Sequence, residues 1–371
     1  MWARLAPRRR SLLKLELRPE PSRALALASP LIALAVTVAI GVALFAALGK
    51  EPLRGLEMFF YEPLKNGRAL SELSIKAAPL LLIGLGLSLC FRSNVWNIGA
   101  EGQFILGTIG ATGVALRASD SSSSFVIVPV LLAGAAAGML WAAVTALLRD
   151  RFNANEILVS LMLVYVAEQL LSYLVHGPWR DPNGYNFPQT ITFLSQTRVP
   201  RLAAGARANW GVVLALLGMA ALWLFMHKTH AGYRLEVGGL APRAARYAGF
   251  SSRGALWTTL LLSGALSGLA GALEVAGPVG QLTTQVPLGY GFAAIIVAFV
   301  GRLEPVGVLL SSILMSMFYI GGEMSQSRLG LPKAITGVFQ GLLLFSLLSC
   351  DTLINYRVRF TGFRRPAAER A

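Results

Sequence analysis

Ten long apolar runs, separated by short polar stretches, constrain this chain of 371 residues more than any other feature. A run of about 20 apolar residues can cross a lipid bilayer as a helix, because a helix satisfies its backbone hydrogen bonds internally. The pattern therefore predicts an all-α, polytopic integral membrane protein with about ten transmembrane helices. The runs lie at residues 24–48, 72–91, 96–116, 125–148, 156–176, 210–227, 255–276, 285–301, 306–323 and 332–350.

The charges support a membrane protein and set its orientation. Charged residues make up 14% of the chain, whereas soluble domains carry about 25%. The net charge of +15 arises in loops between apolar runs, so we expect the lipid bilayer, and no nucleic acid, as a partner. With ten spans and both termini in the cytosol, 21 of the 33 Lys and Arg residues lie inside, as the positive-inside rule requires.

The same reasoning divides the chain into three parts. Residues 1–23 form a basic cytoplasmic segment, residues 24–350 a single transmembrane domain, and residues 351–371 a basic cytoplasmic tail. The first apolar run is longer than the 7–15 residues of a signal-peptide core. We therefore expect it to be an uncleaved first span.

A polar stretch from Asn94 to Gln103 interrupts the apolar pattern with two Asn, one Glu, one Gln and two Gly. Such residues are costly in a bilayer unless they face other helices or a wet cavity. Asn94 or Asn97 can cap a helix that restarts there, as in the interrupted helices of membrane carriers. The alternative is a tight turn at the cytosolic surface.

The eighth span is a second interruption, because only residues 292–300 are continuously apolar and several Gly and Pro residues precede them. A run this short is typical of a half-helix or a re-entrant segment. Elsewhere, the Gly134–Gly138 and Gly264–Gly268 pairs predict helices that pack closely in lipid.

Five residues are candidates for lining a solute pathway: Asn97, Glu101, Gln103, Glu168 and Phe318. Glu168 lies about twelve residues into its span, and an intramembrane carboxylate indicates function by default. Two structural alternatives are a tie between helices and a position near the outer interface. Phe318, with the neighbouring polar and aromatic residues of the last two spans, suits a planar heterocycle, although plain packing explains such aromatics too.

No catalytic or metal-binding pattern is visible. His227 and His230 stand three residues apart without a third ligand nearby, so a metal site is not expected. A phosphate-binding Gly-x-x-x-x-Gly-Lys-Ser/Thr loop is also missing from the sequence. We therefore predict a non-enzyme without cofactors of its own, in which any nucleotide is hydrolysed by another chain.

The inner loop at residues 228–254 contains a predicted short, basic helix. Pro242 suits a first helical turn, the Ala-rich run that follows favours helix, and Gly249 ends it. Such an element can dock into a groove of a partner protein. The alternative is an interfacial helix that lies on anionic lipid.

Three stretches together carry a resemblance to a known family: residues 94–103, 239–249 and 289–301. The chain resembles the membrane permeases of bacterial ABC importers in the branched-chain amino acid, ribose and nucleoside permease superfamily. The Asn155-Glu156 pair and residues 177–182 are similar to its nucleoside (simple-sugar) group.

The resemblance implies an ABC importer permease fold in a bacterial plasma (inner) membrane. It implies a heterodimer with a second permease subunit, a cytoplasmic ATPase that holds ATP and Mg, and an extracytoplasmic solute-binding lipoprotein. The expected solute is a nucleoside, and the alternatives are a simple sugar or a branched-chain amino acid. Outside the family, the alternative is an ion-coupled secondary carrier.

The resemblance also implies roles for two loops. The outer loop 177–209 would face the binding protein. Ala241 stands where the family usually has Asn, so the start of the inner helix lacks its expected cap. The residues implied in coupling to the ATPase are Gly239, Pro242, Arg243, Ala245, Arg246, Tyr247 and Gly249.

Overall fold

The computed structural model describes residues 13–17, 23–118, 123–185, 187–203, 205–286 and 289–360, most of them in helices. Residues 1–12 and 361–371, which hold many of the basic residues of the predicted terminal segments, lie outside the described part. The helices are α1 (Arg23–Ala47), α2 (Pro52–Leu56), α3 (Gly67–Arg92), α4 (Ala100–Arg117), α5 (Ile127–Phe152), α6 (Glu156–His176), α7 (Trp210–Lys228), α8 (His230–Leu240), α9 (Pro242–Tyr247), α10 (Ser252–Glu274), α11 (Tyr290–Val300), α12 (Pro305–Leu329) and α13 (Ala334–Asn355).

Each of the ten predicted spans corresponds to a helix. Seven helices of the described part are long and apolar enough to cross a membrane, namely α1, α3, α5, α6, α7, α12 and α10 with the π-helical turn Val275–Val279 that continues it. The shorter α11 has 11 residues, or about 16 Å against a hydrocarbon core of about 30 Å. It therefore has the length of a half-helix and is too short to cross the membrane alone. That the chain crosses the membrane ten times stays a prediction.

The prediction of an all-helical chain is confirmed, apart from one short ribbon that joins its two ends. Strand β1 (Leu13–Leu17) pairs antiparallel with strand β2 (Tyr356–Phe360) in a two-stranded ribbon. Alternating apolar and charged residues in both segments favour strands, since side chains alternate between the two faces of a strand. Because the paired strands are neighbours, the two ends lie on the same side of a bilayer. This agrees with an even number of crossings, while their cytoplasmic location stays a prediction.

Helix α3 is the centre of the bundle. Of the residues in its apolar window, 89% are buried, against 22% in each of α1, α5, α6 and α7. Its packing neighbours include α7, α10, α11 and α12. A helix that is apolar on all sides must be surrounded by protein or lipid, and α3 is surrounded by protein. It is thus the scaffold on which the interrupted helices are placed.

The two predicted Gly-x-x-x-Gly pairs face each other. Gly138 of α5 lies against the backbone of Gly264 and Gly268 of α10, and Gly134 lies against the carbonyl oxygens of Gly107 and Gly268. A Cβ on any of these glycines would overlap neighbouring backbone or side-chain atoms. The close packing that the pairs predicted is confirmed, and it joins α4, α5 and α10 in one rigid unit.

Candidate functional site

A buried extended segment separates α3 from α4. Residues 93–99 are not helical, and burial alternates along them, so that Val95, Asn97 and Gly99 are buried while Asn94 and Trp96 are exposed. This is the periodicity of an extended chain. The segment is not the simple surface turn that was the alternative, because every second residue of it is buried in the core. The sequence therefore places polar groups inside the bundle by stretching the backbone between two helices.

Asn97 and Gln103 form a closed hydrogen-bond pair inside the bundle. The Asn97 amide donates to Gln103 Oε1 over 3.1 Å and to Ser263 Oγ over 3.0 Å. The Gln103 amide donates back to Asn97 Oδ1 over 3.1 Å. Both side chains are at most 1% exposed, so these bonds satisfy amides that would be costly to bury alone. In this conformation the pair joins the start of α4 to α10.

The prediction that Asn94 or Asn97 is the N-cap of α4 is wrong. The N-cap residue is Gly99, which makes no side-chain capping bond. Asn97 Oδ1 accepts from the Gly99 amide instead, and Asn94 adopts a left-handed backbone with φ of 55°. Asn tolerates that conformation better than most residues. The two asparagines therefore shape the path into the helix and do not cap it.

Glu101 joins the two interrupted stretches that the sequence singled out. Its carboxylate accepts from the Gly289 amide over 3.0 Å and from the Gly291 amide over 2.5 Å. Those amides begin α11, whose N-cap Gly289 has a φ of 75° and no side-chain cap of its own. A negative charge at a helix N-terminus is stabilised by the helix dipole and by the free amide donors. Glu101 of α4 thus caps the half-helix α11 from outside.

The contact between α4 and α11 depends on a missing side chain. A Cβ on Gly291 would overlap the backbone of Glu101, so only glycine lets the two helix starts approach so closely. We call this contact, formed by Glu101 with Gly289, Tyr290 and Gly291, the α4–α11 junction.

The α4–α11 junction lies one length of α11 away from a rim of the bundle. The end of α3 and the start of α12 share one rim of the bundle, where Arg92 pairs with Glu304. Helix α11 runs from the junction to that rim, and its 11 residues rise by about 16 Å. This is about half of the hydrocarbon thickness. Polar groups and helix ends at this depth match the construction of binding sites in membrane carriers.

Aromatic and charged side chains surround the junction. Tyr290 meets Phe104 and Tyr319 edge to face, with ring centroids 6.0 and 5.1 Å apart. Lys76 Nζ of α3 lies 2.7 Å from Glu323 Oε1 of α12. Lys76 and Tyr290 were absent from the predicted pathway residues. Lys76 could have been found by the rule that an intramembrane charge indicates function, since it is the fifth residue of the predicted span 72–91.

Two other predicted pathway residues lie apart from this contact. Glu168 is half-buried on the peripheral helix α6, and its carboxylate is an electrostatic neighbour of Glu101. Phe318 is fully buried in an aromatic cluster with Phe59, Phe60 and Phe339, at centroid distances of 6.0–6.1 Å. Packing explains its position in this conformation, and a role in the pathway stays a prediction for both residues.

The predicted coupling helix is present as α9. It begins at Pro242 and is followed by Gly249, whose φ is 79°. Among its residues only Ala245 is buried, while Tyr247 is 97% exposed and Arg243 and Arg246 are exposed. Its N-cap is Ala241, which offers no side-chain oxygen. The helix therefore forms despite the missing cap, with proline at its first position. We call α8 and α9 together the foot.

A polar cavity connects the foot with the buried extended segment. Its volume is about 710 Å³, and its walls include Ser93, Asn94 and Val95 on one side and Pro242, Ala245 and Arg246 on the other. Gly239 of α8 lies against the carbonyl oxygen of Arg92, where a Cβ would overlap it. The foot thus rests on the start of the segment that leads to the α4–α11 junction.

Comparisons with known proteins agree with these features. Residues 69–348 match the model of the family described as branched-chain amino acid transport system / permease component. The chain belongs to this permease family. Its role is accordingly transport and not catalysis, and it is a multi-pass membrane protein.

Several named permeases resemble this one along most of their length. It is 33% identical to the glucose ABC transporter permease protein TsgB13 of Haloferax volcanii, over 95% of this chain and 96% of the relative. It is 28% identical to the guanosine ABC transporter permease protein NupP of Bacillus subtilis, over 89% and 94%. It is 26% identical to the nucleoside ABC transporter permease protein NupB of Lactococcus lactis, over 85% and 89%. This permease is therefore an ABC transporter subunit.

The loop at residues 177–209, predicted to lie outside, packs along the turn that precedes α11. The Thr190 amide donates to the Leu282 carbonyl over 3.0 Å, Phe193 to Gly280 over 2.8 Å, and Val199 to Ala276 over 2.9 Å. Within the same loop, Tyr185 is 94% exposed. The loop thus has one edge fixed to the backbone that leads to the α4–α11 junction and another open to solvent. Its contact with a binding protein stays a prediction.

Proposed function

We propose that this permease forms half of the solute pathway of an importer for nucleosides, in the plasma (inner) membrane of a bacterium. A second permease subunit supplies the other half, and the two form a heterodimer. A separate cytoplasmic ATPase binds ATP and Mg and contacts the foot. An extracytoplasmic solute-binding lipoprotein delivers the nucleoside to the outer loops.

The α4–α11 junction is the observation that carries this proposal. It brings helix starts, a carboxylate and aromatic rings together at half the depth of the membrane. The half-buried ring of Tyr319 suits the π-face of a nucleobase, and the buried Tyr290 supports it edge to face. Hydroxyl groups of a ribose are complementary to the Lys76 and Glu323 side chains, since both can form charge-assisted hydrogen bonds.

The foot supports coupling to a partner. It exposes two arginines and a tyrosine on a short helix, and its inner face borders the cavity that reaches Ser93. Displacement of α9 by an ATPase would press on the extended segment between α3 and α4. Because that segment continues into Glu101, such a displacement would reach the α4–α11 junction through a single stretch of backbone.

A sugar is the second candidate solute, and the relative that favours it is the glucose permease with 33% identity over nearly the whole chain. Aromatic rings and hydroxyl-binding charges suit a hexose as well as a nucleoside. A branched-chain amino acid fits less well, because its aliphatic side chain offers no π-face to the aromatic rings and no hydroxyl group.

The test is uptake by the complete importer. The permease is expressed with its second subunit, ATPase and lipoprotein in a strain that lacks other nucleoside and glucose uptake. We expect ATP-dependent accumulation of labelled guanosine or uridine that unlabelled nucleosides inhibit and glucose does not. Accumulation of glucose alone would overturn the nucleoside assignment. Accumulation in vesicles that contain this chain alone, driven by an ion gradient, would overturn the ABC assignment.

A further inference from the structure

The cavity between the foot and the bundle is large enough for a small molecule. Its volume is about 710 Å³, and small-molecule sites typically measure about 300–1,000 Å³. Its walls come from the foot, the segment after α3, the end of α5 and the starts of α6 and α10. A ligand in this cavity would therefore touch the foot and the bundle at the same time.

Helix α9 turns one face towards the cavity. Of its six residues, Pro242, Ala245 and Arg246 line the cavity, and positions three and four apart share one face of a helix. Arg243 and Tyr247 of the same helix do not line it. Arg246 therefore belongs to the cavity, and Arg243 is a matched arginine outside it.

The acids of the cavity wall are already paired with cations of the same wall. Asp150 accepts from Arg253 Nε over 2.7 Å and from Trp257 Nε1 over 3.1 Å. Glu156 Oε2 lies 3.2 Å from Arg149 Nε. The charged residues of the wall are Arg149, Asp150, Glu156, Arg234, Arg246 and Arg253. Four arginines against two carboxylates leave the wall with a net charge of +2.

The excess positive charge comes from two arginines of the foot. Within the described residues, Arg234 of α8 and Arg246 of α9 form no salt bridge with a carboxylate. The Arg234 guanidinium lies over the ring of Phe250, with Cζ 5.6 Å from the ring centroid, and this contact orients it. Guanidinium groups form charge-assisted and often bidentate hydrogen bonds with phosphate. The two arginines therefore select an anion of that kind.

The extended segment supplies hydrogen-bonding groups to the same cavity. Ser93 and Asn94 line it where the segment leaves α3. Ser93 is 8% exposed, and its Oγ has no hydrogen-bond partner in the described part of the chain. A buried hydroxyl is costly without a partner, so Ser93 favours a polar ligand. The Asn94 side chain is exposed, and its amide can donate to an anion.

We propose that this cavity binds the phosphate group of a small phosphate monoester. Arg234 and Arg246 hold the phosphate from the foot, while Ser93 and Asn94 hold the ligand from the extended segment. The bound ester joins the foot to the segment that leads to the α4–α11 junction, and so restrains movement of the foot. This site depends neither on which solute is transported nor on the role of the foot in coupling.

The first experiment measures the binding of glycerol 3-phosphate to the assembled importer in phosphatidylcholine nanodiscs. Glycerol is the neutral control, and neither compound is a nucleotide that the ATPase would bind. We expect saturable binding of the phosphate ester, at one site for each copy of this permease, and no binding of glycerol. Equal binding of glycerol, or no saturable binding of the ester, would overturn the proposal.

Matched variants locate the site. Arg234→Gln and Arg246→Gln should each weaken the affinity for the ester at least about tenfold, because each removes a charge-assisted hydrogen bond. Arg246→Lys keeps the charge and should recover part of the affinity, and Ser93→Ala should weaken it about threefold. Arg243→Gln, the arginine of α9 outside the cavity, should change the affinity less than about twofold. Equal losses in Arg243→Gln and Arg246→Gln would place the ester elsewhere.

A last pair of measurements separates the ester from lipid and tests the restraint. A phospholipid headgroup carries a phosphate too, so phosphatidylcholine is replaced by phosphatidylglycerol. The number of ester sites should stay the same, and their loss would assign the cavity to a headgroup. The bound ester should also slow hydrogen exchange in α8, α9 and residues 94–99 of the parent protein, but not of Arg246→Gln. Unchanged exchange in the parent would contradict the restraint of the foot.

Discussion

The α4–α11 junction and the foot both interrupt the long helices of the bundle, but polar side chains are buried at the junction and exposed at the foot. At the junction the Glu101 carboxylate and the Asn97 and Gln103 amides are buried and bonded within the chain. At the foot Arg243, Arg246 and Tyr247 extend into solvent. Buried polar groups must be satisfied internally, whereas exposed ones remain available. The comparison indicates that in this conformation the junction holds α4 and α11 together, whereas the foot offers a surface to a partner.

The largest effect on transport should come from the foot. Reversing both charges, Arg243→Glu with Arg246→Glu, should abolish uptake by the assembled importer and prevent retention of the ATPase. The thermal unfolding midpoint of the permease should change little, because exposed substitutions have small effects on stability.

The matched control reverses two exposed charges far from the foot, Arg68→Glu with Arg201→Glu, and should keep the ATPase bound. Undiminished uptake by the foot variant would contradict the conclusion that the foot, unlike the junction, is a surface for a partner.

The largest effect on stability should come from the junction. Glu101→Ala leaves two buried amides without acceptors, at about 1–3 kcal/mol each, so the free energy of unfolding should fall by about 2–6 kcal/mol. Glu101→Gln keeps one acceptor and should lose less. Unfolding of the purified permease in detergent measures both. A loss no greater than that of Glu168→Ala would show that the junction is not a structural centre.

The Asn97–Gln103 pair should show strong energetic coupling. In a double-mutant cycle with Asn97→Ala and Gln103→Ala, the two changes remove the same reciprocal hydrogen bonds. We expect an interaction energy of about 0.5–3 kcal/mol. Additive losses would mean that each amide is satisfied elsewhere.

A cap should stabilise the foot by a smaller amount. Ala241→Asn introduces a side-chain oxygen at the N-cap of α9, which is worth about 0.5–2 kcal/mol of local helix stability. Hydrogen exchange of the α9 amides should slow, while exchange at the α4–α11 junction stays the same. Unchanged exchange in α9 would indicate that Pro242 already fixes the helix start.

Glu168 should show the smallest effect on stability. It is half-buried on the peripheral helix α6, so Glu168→Gln should change the free energy of unfolding by no more than about 0.5 kcal/mol. If the carboxylate contacts solute, the Michaelis constant for uptake should rise. Parallel losses in uptake and stability would support a structural tie.

The sequence by itself determined the helices. Long apolar runs favour helices, since the bilayer leaves backbone groups no partner but each other. Proline and glycine likewise fixed the limits of α9 at Pro242 and Gly249. The sequence also marked both interrupted stretches, because Gln, Glu and Asn stand out in apolar surroundings.

Only the tertiary structure decided which of these polar groups meet. Glu101 lies 188 residues from Gly289, whose amide donates to its carboxylate, and no local pattern encodes a hydrogen bond at that separation. The same is true of Lys76 and Glu323, and of β1 and β2 at opposite ends of the chain. Spacing along a helix fixes which residues share a face, but contacts between helices depend on how closely their backbones approach. Here glycines at the crossings, Gly291 among them, allow that approach.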